Sequence, residues 1–274
     1  MALQWEDCLR NIQMGNNKGP WSSIWPPVVV LVVLIACWQA IVSFGVVHSW
    51  MIPSPLAVVE EALKANVWPR LMEHTGATLK LTLIGFLGGS AAGFVLAALL
   101  HLLPGVRRGI YPLLILSQNV PIVVLAPIMT MLFGYGLLPK ALLVILVCFF
   151  PVSIAMLSGL SSTDNGLRNY LRMIGSRKWQ LFWRLELPHS IIHLFSGLKI
   201  AATYSVMSAV FAEMLSPKIG LGGFMVLSSR GYMPERAFAA VVLIIALSLT
   251  LFGIVVMAER LIVRWQPKKG GEVK

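Results

Sequence analysis

Charged residues are scarce in this sequence. Only 12% of its 274 residues are Asp, Glu, Lys or Arg, whereas an ordinary soluble domain carries about 25%. Hydrophobic residues make up 57% and the mean hydropathy is +0.80, so the chain cannot cover a soluble core with a polar surface. Its apolar residues fall in runs of about 20, the length that crosses a bilayer core. The composition therefore predicts an all-α integral membrane protein.

Cysteine is rare, and the common catalytic signatures are missing. Cys8, Cys37 and Cys148 are scattered and odd in number, which indicates neither a disulfide framework nor a metal site. The sequence has no Gly-x-x-x-x-Gly-Lys-Ser/Thr stretch to hold nucleotide phosphates, no His-Glu-x-x-His motif and no Ser, His and Asp set. We therefore expect that this chain is not an enzyme and binds neither a metal ion nor a cofactor.

Acidic residues are half as numerous as basic ones, 11 against 22, which gives a formal net charge of +11. In a soluble protein this excess would suggest a nucleic-acid partner, but no basic stripe here has aromatic platforms interleaved with it. Basic residues that border apolar spans commonly follow the positive-inside rule. We expect the partner of this charge to be the lipid bilayer, with no nucleic acid involved.

Six apolar segments predict about six transmembrane helices, at residues 27–44, 79–103, 111–132, 141–160, 191–215 and 238–263. Together they define a transmembrane domain, residues 27–263, between an N-terminal segment 1–26 and a basic tail 264–274. Six spans place both termini on one side. That side carries about twice as many Lys and Arg residues as the other, so both termini are expected in the cytoplasm.

Three local features accompany these spans. The second span is rich in Gly and Ala, which predicts close helix packing. The third carries Pro112, Pro121 and Pro127, which predict a kinked backbone. The charged segment 56–65 is too short to span and predicts an amphipathic helix on the outer surface.

The long polar loop, residues 161–188, predicts a helix, a break and a second helix. Gly175 suits the left-handed conformation that ends a helix, and Ser176 is a candidate cap for the next one. Pro188 is expected to end the second helix before the following span. The loop therefore has a structure of its own.

An aromatic ridge is predicted on the second helix of this loop. Trp179, Phe182 and Trp183 recur at i, i+3 and i+4, so they share one helix face. The residues alone allow two interpretations. The ridge is either a docking surface for another protein or an interfacial helix whose aromatic rings lie among lipid headgroups.

The loop resembles the cytoplasmic loop of ATP-binding cassette (ABC) importer permeases, whose pattern is Glu-Ala-Ala, three residues, Gly and a run closing in Leu-Pro. Gly175 and Leu187-Pro188 stand at the family spacing, whereas Asn169-Tyr170-Leu171 replaces Glu-Ala-Ala. The resemblance covers nearly everything after the first span, including Ile52-Pro53-Ser54-Pro55, Phe133-Gly134-Tyr135-Gly136, Gly197-Leu198-Lys199-Ile200-Ala201, Glu213 and Gly220-Leu221-Gly222. The chain looks like the permeases for nitrate, taurine, alkanesulfonates and thiamine-pyrimidine precursors. Residues 117–121 and 133–140 are similar to the hydroxymethylpyrimidine branch.

This resemblance implies a type I ABC importer permease fold with a cytoplasmic coupling helix, in a bacterial-type inner membrane. It implies a homodimer, two cytoplasmic ATPase subunits that hold ATP and Mg, and an extracytoplasmic solute-binding protein. It also assigns the residues that couple to the ATPase, namely Asn169, Arg172, Gly175, Ser176, Arg177, Trp179, Phe182, Leu187 and Pro188. The alternative from another class is a stand-alone secondary transporter, which inverted repeats would indicate; none is evident in the sequence.

Polar residues inside the spans are candidates for the translocation pathway, because polar groups in lipid are costly and usually face protein or water. The candidates are Ser117, Gln118 and Asn119 in the third span and Thr203, Tyr204, Ser205, Ser208 and Glu213 in the fifth. Those of the third span either line the pathway or bond neighbouring helices. Glu213 is expected to gate, to contact the binding protein or to pair with Arg230 or Arg236. Lys199 is expected to extend its ammonium group to the cytoplasmic interface.

Overall fold

The computed structural model describes residues 20–45 and 51–263. Residues 1–19, with Cys8, and the predicted basic tail 264–274 lie outside the described residues. Those described form two compact units, one ending at Glu60 and one beginning at Glu61. Their regular structure is helical: α1 (Pro20–Ser43), α2 (Pro55–Leu63), α3 (Trp68–Leu102), α4 (Pro104–Ser117), α5 (Ile122–Phe133), α6 (Leu137–Ser161), α7 (Asn165–Met173), α8 (Lys178–Leu181), a π-helical turn (Phe182–Glu186), α9 (Leu187–Leu215), α10 (Leu221–Arg230) and α11 (Pro234–Ile262).

Five helices of the described chain are long and apolar enough to cross a membrane. They are Trp25–Ser43 of α1, α3, α6, the continuous helix Lys178–Leu215 and α11. Helices α4 and α5 form a broken pair, bent by 102°, which makes a sixth span if it is counted as one. The prediction of an all-α membrane protein with about six spans is confirmed.

The third predicted span is not one kinked helix, as its prolines predicted, but two helices, α4 and α5, that are bent by 102° relative to each other. Pro121 is the N-terminal cap of α5 and has an extended backbone, with φ −62° and ψ 133°. It has no N–H with which to continue the hydrogen bonding of α4, and it disfavours a helical conformation at Val120. The chain therefore turns at residues 118–121, and the polar side chains of this turn lie at a bend rather than along a helix.

Helices α3, α6 and α9 form the core of the second unit. Val144, Cys148 and Val152 of α6 are fully buried in one apolar cluster with Ala201 and Val206 of α9. The predicted small-residue packing of the second span is present. A Cβ atom at Gly85 would lie 2.1 Å from the Val144 side chain, and one at Gly89 would lie 2.4 Å from the Ile145 carbonyl oxygen. Glycine is required at this interface because the helices approach so closely.

Helix α3 is longer than predicted, since it begins at Trp68 rather than near residue 79. Pro69 occupies its first turn, where a missing N–H costs nothing. The apolar part of α3 is the predicted span, and its N-terminal turns extend beyond it. This extension places His74 and Thr78 beside the end of α9, where they take part in a hydrogen-bonded cluster described below.

Candidate coupling segment and translocation cavity

A structured turn joins α7 to α8 in the predicted coupling segment. Gly175 has a φ of +88°, its N–H donates to the Arg172 carbonyl oxygen at 3.0 Å, and the Ser176 N–H donates to the Leu171 carbonyl oxygen at 3.0 Å. These two hydrogen bonds form a Schellman motif, in which the left-handed position favours Gly. The predicted break at Gly175 is therefore present in the structure.

Ser176 does not cap the second helix, as its sequence position predicted. The N-terminal cap of α8 is Arg177, and the Gln180 side chain accepts a hydrogen bond from the Arg177 N–H at 3.0 Å. Ser176 instead completes the end of α7, because the Schellman motif uses its backbone N–H. Asn169 and Arg172, the candidates on α7, are both exposed.

The three aromatic residues of the predicted ridge contact one another but do not share one exposed face. The Trp179 and Trp183 rings are 5.6 Å apart, and their side chains are 59% and 49% exposed. Phe182 is only 3% exposed and packs in a cluster with Leu100, at the end of α3. Phe182 therefore anchors the segment to the bundle, whereas the two tryptophans form the surface that a partner can contact.

Pro188 does not end the helix, contrary to the prediction from the sequence. The helix continues through a π-helical turn, in which the Leu187 N–H donates to the Phe182 carbonyl oxygen, and Pro188 occupies the first turn of α9. Proline is tolerated there because the wider π-helical turn removes the usual demand for its missing N–H. Residues 178–215 are thus one helical rod, which joins the tryptophan surface to α9 without a break.

Glu186 connects this rod to two other helices, a role that sequence reasoning missed. Its carboxylate is buried, 4% exposed, and lies 2.7 Å from His101 Nε2 at the end of α3 and 2.9 Å from Arg168 Nε of α7. Asn169 replaces the family's usual acid one residue after Arg168. Glu186 therefore supplies the buried acid of this segment. The sequence signal that could have indicated this role is the position of Glu186 directly before Leu187-Pro188.

We expect Glu186→Gln to loosen the attachment of the coupling segment while leaving the tryptophan surface intact. The substitution keeps the side-chain shape but removes the charge that pairs with Arg168, and a buried ion left without its partner is strongly destabilising. If the expected ATPase and binding protein assemble with this chain, uptake per ATP hydrolysed should fall severalfold in the reconstituted complex. Glu73→Gln, at an exposed position of α3, is the matched control. An unchanged ratio of uptake to hydrolysis in Glu186→Gln would contradict this role.

A cavity of about 560 Å³ opens between the α4–α5 bend, α6 and α9. It brings together three of the predicted pathway residues, Ser117 and Gln118 at the bend and Tyr204 on α9. Its lining also includes Ser158, His193 and Ser196, together with apolar residues such as Phe150 and Ile154. This mixture of a large apolar wall and a few polar groups is typical of a site for a small organic molecule.

The other predicted pathway residues are not part of this cavity. Asn119 Nδ2 donates a hydrogen bond to the Ile115 carbonyl oxygen, and the Thr203 hydroxyl donates one to the Lys199 carbonyl oxygen. Ser205 and Ser208 are fully buried and donate to carbonyl oxygens of their own helix. Hydroxyl groups satisfied in this way are compatible with tight helix packing and need no solute.

Glu213 lies in a buried hydrogen-bonded cluster near the other end of the bundle. It is 2% exposed, and it accepts hydrogen bonds from the Thr78 hydroxyl at 2.9 Å and from the Gly222 N–H at 3.0 Å. The Leu221 N–H donates to Thr78 Oγ1, and the Gly220 N–H donates to His74 Nδ1. This cluster, which we call the Glu213 cluster, holds the start of α10 against α3 and α9.

Arg236 pairs with Glu61 rather than with Glu213, which corrects one of the expectations. Arg236 Nε lies 2.8 Å from Glu61 Oε1. Hydrogen bonds from Lys64 and from Arg236 hold the pKa of Glu61, on α2, below its ordinary value. The structure gives Glu213 no bond to Arg230.

Lys199 does not extend alone to an interface, as was expected, because its ammonium group lies 2.9 Å from Glu259 Oε2 of α11. Near the same end of the bundle, the Ser162 hydroxyl lies 3.4 Å from His193 Nε2. Within residues 20–45 and 51–263, no group of three His, Cys, Asp or Glu side chains is arranged to hold a metal ion.

Comparisons with known proteins agree with this arrangement. Residues 89–264 match the family described as binding-protein-dependent transport system inner membrane component. The formylaminopyrimidine transport permease protein ThiX of Halalkalibacterium halodurans is 28% identical over 89% of this chain and 96% of its own length. The riboflavin transport system permease protein RibX of Chloroflexus aurantiacus is 29% identical over 90% of this chain and 91% of its own length.

A solved structure supports the fold. The crystal structure of an amino acid ABC transporter with histidines superposes with a TM-score of 0.58 at 18% identity. The superposition covers 71% of this chain and 95% of that one.

Proposed function

Since this chain belongs to the family of binding-protein-dependent transport system inner membrane components, we propose that its cavity is the path of a small, uncharged heteroaromatic solute. Members of this family are multi-pass membrane subunits of ABC importers, so the chain is a transport component and not an enzyme. ATPase subunits and a binding protein complete such an importer.

The chemistry of the residues that line the cavity between α4–α5, α6 and α9 indicates the kind of solute. Its polar groups are hydroxyls, the Gln118 amide, the His193 imidazole and the Tyr204 phenol, and no Lys, Arg, Asp or Glu is among its described lining residues. Hydroxyl and amide groups can satisfy the ring nitrogens and amino group of a heterocycle, and Tyr204 offers a ring on which it can stack. The names of ThiX and RibX also indicate heteroaromatic solutes.

Nitrate, taurine and alkanesulfonates, the other solutes suggested by the sequence resemblance, carry a nitrate or sulfonate anion. Pathways selective for anions commonly use Arg or Lys side chains. The described lining residues provide neither. We therefore rank a pyrimidine of the hydroxymethylpyrimidine type above these anions.

The coupling segment is proposed to face the cytoplasm, with both termini on that side and two copies of the chain in the complex. ATP and Mg would be held by the partner ATPase. The exposed Trp179 and Trp183 and the continuous rod 178–215 support a lever mechanism. In this mechanism, closure of the ATPase subunits displaces α8, and the rod moves α9 relative to the α4–α5 bend, so that the cavity opens to alternate sides.

Uptake into proteoliposomes by the complete complex tests the solute. We expect ATP-dependent uptake of radiolabelled hydroxymethylpyrimidine and no competition from taurine or nitrate. Tyr204→Ala should reduce uptake by about tenfold or more, because it removes a ring at the cavity. Thr203→Val, at the adjacent exposed position outside the cavity, should leave uptake unchanged. Competition by taurine would favour the anion alternative, and uptake driven by an ion gradient without ATP would favour a secondary transporter.

A further inference from the structure

A second cavity, of about 410 Å³, lies beside the Glu213 cluster, at the opposite end of the bundle from the coupling segment. Three lysines from three different segments line it, Lys80 of α3, Lys140 of α6 and Lys218 of the loop between α9 and α10. Tyr135, Leu81 and Leu137 are also part of the lining. We call this site the three-lysine cavity. It is not part of the proposed solute path.

The charge of this cavity is not balanced within the described residues. Lys140 is only 9% exposed, and its ammonium group donates to the Ser216 carbonyl oxygen at 3.0 Å. Lys140 is attracted by the Glu213 carboxylate and repelled, more weakly, by the Lys218 ammonium group. Neither Lys80 nor Lys218 forms an ion pair with any residue that the structure describes.

Glu213 is the one acidic group among the described lining residues. Both of its carboxylate oxygens already accept hydrogen bonds from the Thr78 hydroxyl or the Gly222 N–H. Three ammonium groups and a single carboxylate leave the described lining of this cavity with an excess of positive charge, which an additional anion would neutralise. The buried ammonium group of Lys140, which donates to the Ser216 carbonyl oxygen, would also be stabilised by an anion.

The position of the lysines along their helices indicates which anion this is. Lys80 is 22 residues from the end of α3 at Leu102, and Lys140 is 21 residues from the end of α6 at Ser161. At a rise of 1.5 Å per residue, each is about 32 Å from the end that carries the coupling segment. This distance matches the hydrocarbon thickness of a bilayer, about 30 Å. The lysines therefore lie at the level of the opposite headgroups.

We propose that the three-lysine cavity binds the phosphate group of an anionic phospholipid in the extracytoplasmic leaflet. The assignment to that leaflet rests on the proposed function, which places the coupling segment in the cytoplasm. The ammonium groups of Lys80, Lys140 and Lys218 surround the phosphate. Leu137, which is 52% exposed, contacts the apolar part of the lipid, and Tyr135, which is 76% exposed, lies at the headgroup level, where tyrosine is enriched.

Native mass spectrometry of the intact complex, released from nanodiscs, tests this site without requiring transport. Nanodiscs that contain equal amounts of phosphatidylglycerol and phosphatidylcholine should yield complexes with retained phosphatidylglycerol. Lys80→Ala together with Lys218→Ala should lower the retained fraction at least about fivefold, because each basic residue near the surface adds to the attraction of anionic lipid. Lys140 is left intact because its burial makes a folding defect the expected result of replacing it.

Arg70→Ala is the matched control. It removes one positive charge from an exposed position of the same helix, outside the three-lysine cavity, and should leave lipid retention unchanged. Equal retention in the double variant and the wild type would overturn the proposal. So would displacement of the lipid by millimolar inorganic phosphate or taurine, since the site would then take soluble anions.

Failure of the lipid proposal and failure of the proposed function are distinguishable. The retained lipid is measured on the complex itself, whereas the solute is measured by uptake. A complex that imports hydroxymethylpyrimidine but retains no phosphatidylglycerol contradicts only the lipid site. A complex that retains the lipid but imports a sulfonate contradicts only the solute assignment.

Discussion

Replacing both Trp179 and Trp183 with Ala is expected to abolish association with the ATPase and ATP-dependent uptake, while the permease stays folded. Both side chains are about half exposed, so their removal leaves no cavity in the bundle. Tryptophan is among the residues that contribute most at protein interfaces, commonly about 2 kcal/mol or more each. Two such losses predict an affinity at least about 100-fold lower. Co-purification with the ATPase in detergent, followed by uptake measurements, checks this result.

The control for this experiment is Trp68→Ala. Trp68 has a similar exposure, 43%, but it lies at the start of α3, at the other end of the bundle. Its replacement should leave ATPase association unchanged. If the double variant co-purified with the ATPase as well as the wild type, the two tryptophans would not form the ATPase docking surface and the lever mechanism would be wrong.

The second large effect is expected for Gly220→Ala, which should strongly destabilise the end of the bundle that holds the Glu213 cluster. Gly220 has a φ of +113°, a conformation that residues with a Cβ atom rarely adopt. The added methyl group would lie 2.1 Å from Cδ of Glu213. The carboxylate cannot move without breaking its bonds to Thr78 and Gly222. A loss of about 3 kcal/mol or more is expected, within the range that backbone strain and broken buried networks produce.

The thermal unfolding temperature and the yield of monodisperse protein in detergent measure this effect. Gly253→Ala is the matched control, because a Cβ atom there meets nothing within 4 Å and α11 accepts Ala. Glu213→Ala identifies the cause. In that background the further change Gly220→Ala should cost much less than it does alone. Full additivity of the two substitutions would show that the strain comes from the backbone conformation and not from the carboxylate.

Much of the coupling segment is predictable from its sequence because its structure is local. The left-handed Gly175 and the helices on either side of it depend on residues within a few positions of one another. The predictions that were wrong concern features of this segment that depend on tertiary contacts or on irregular helical turns. Phe182 shares the periodicity of the two tryptophans, but only packing against the end of α3 decides that it is buried. Pro188 predicts a helix end, but the π-helical turn, which local rules do not anticipate, lets the helix continue.

The ion-pair and hydrogen-bond networks were not predictable. Glu186 and His101 are separated by 85 residues, and Glu213 and Thr78 by 135. No periodicity connects residues at such distances. The sequence indicated that Glu213 is unusual, since a carboxylate in an apolar span needs a partner, but it suggested arginines that the structure places elsewhere. The lining of the cavity between the α4–α5 bend, α6 and α9 was foreseen in part, because Gln118 and Tyr204 are polar residues in apolar segments of the sequence.

The sequence by itself determined the membrane location, the approximate number of spans and the position of the helix break at Gly175. Apolar run lengths and local turn chemistry act over short stretches of chain, so they can be recognised in one dimension. Only the tertiary structure decided which polar side chains meet, which tryptophans stay exposed and where three lysines line one cavity with a single carboxylate among its described residues. Those outcomes depend on how α3, α6 and α9 pack, and the close approach that their glycines allow brings residues far apart in the chain within hydrogen-bonding distance.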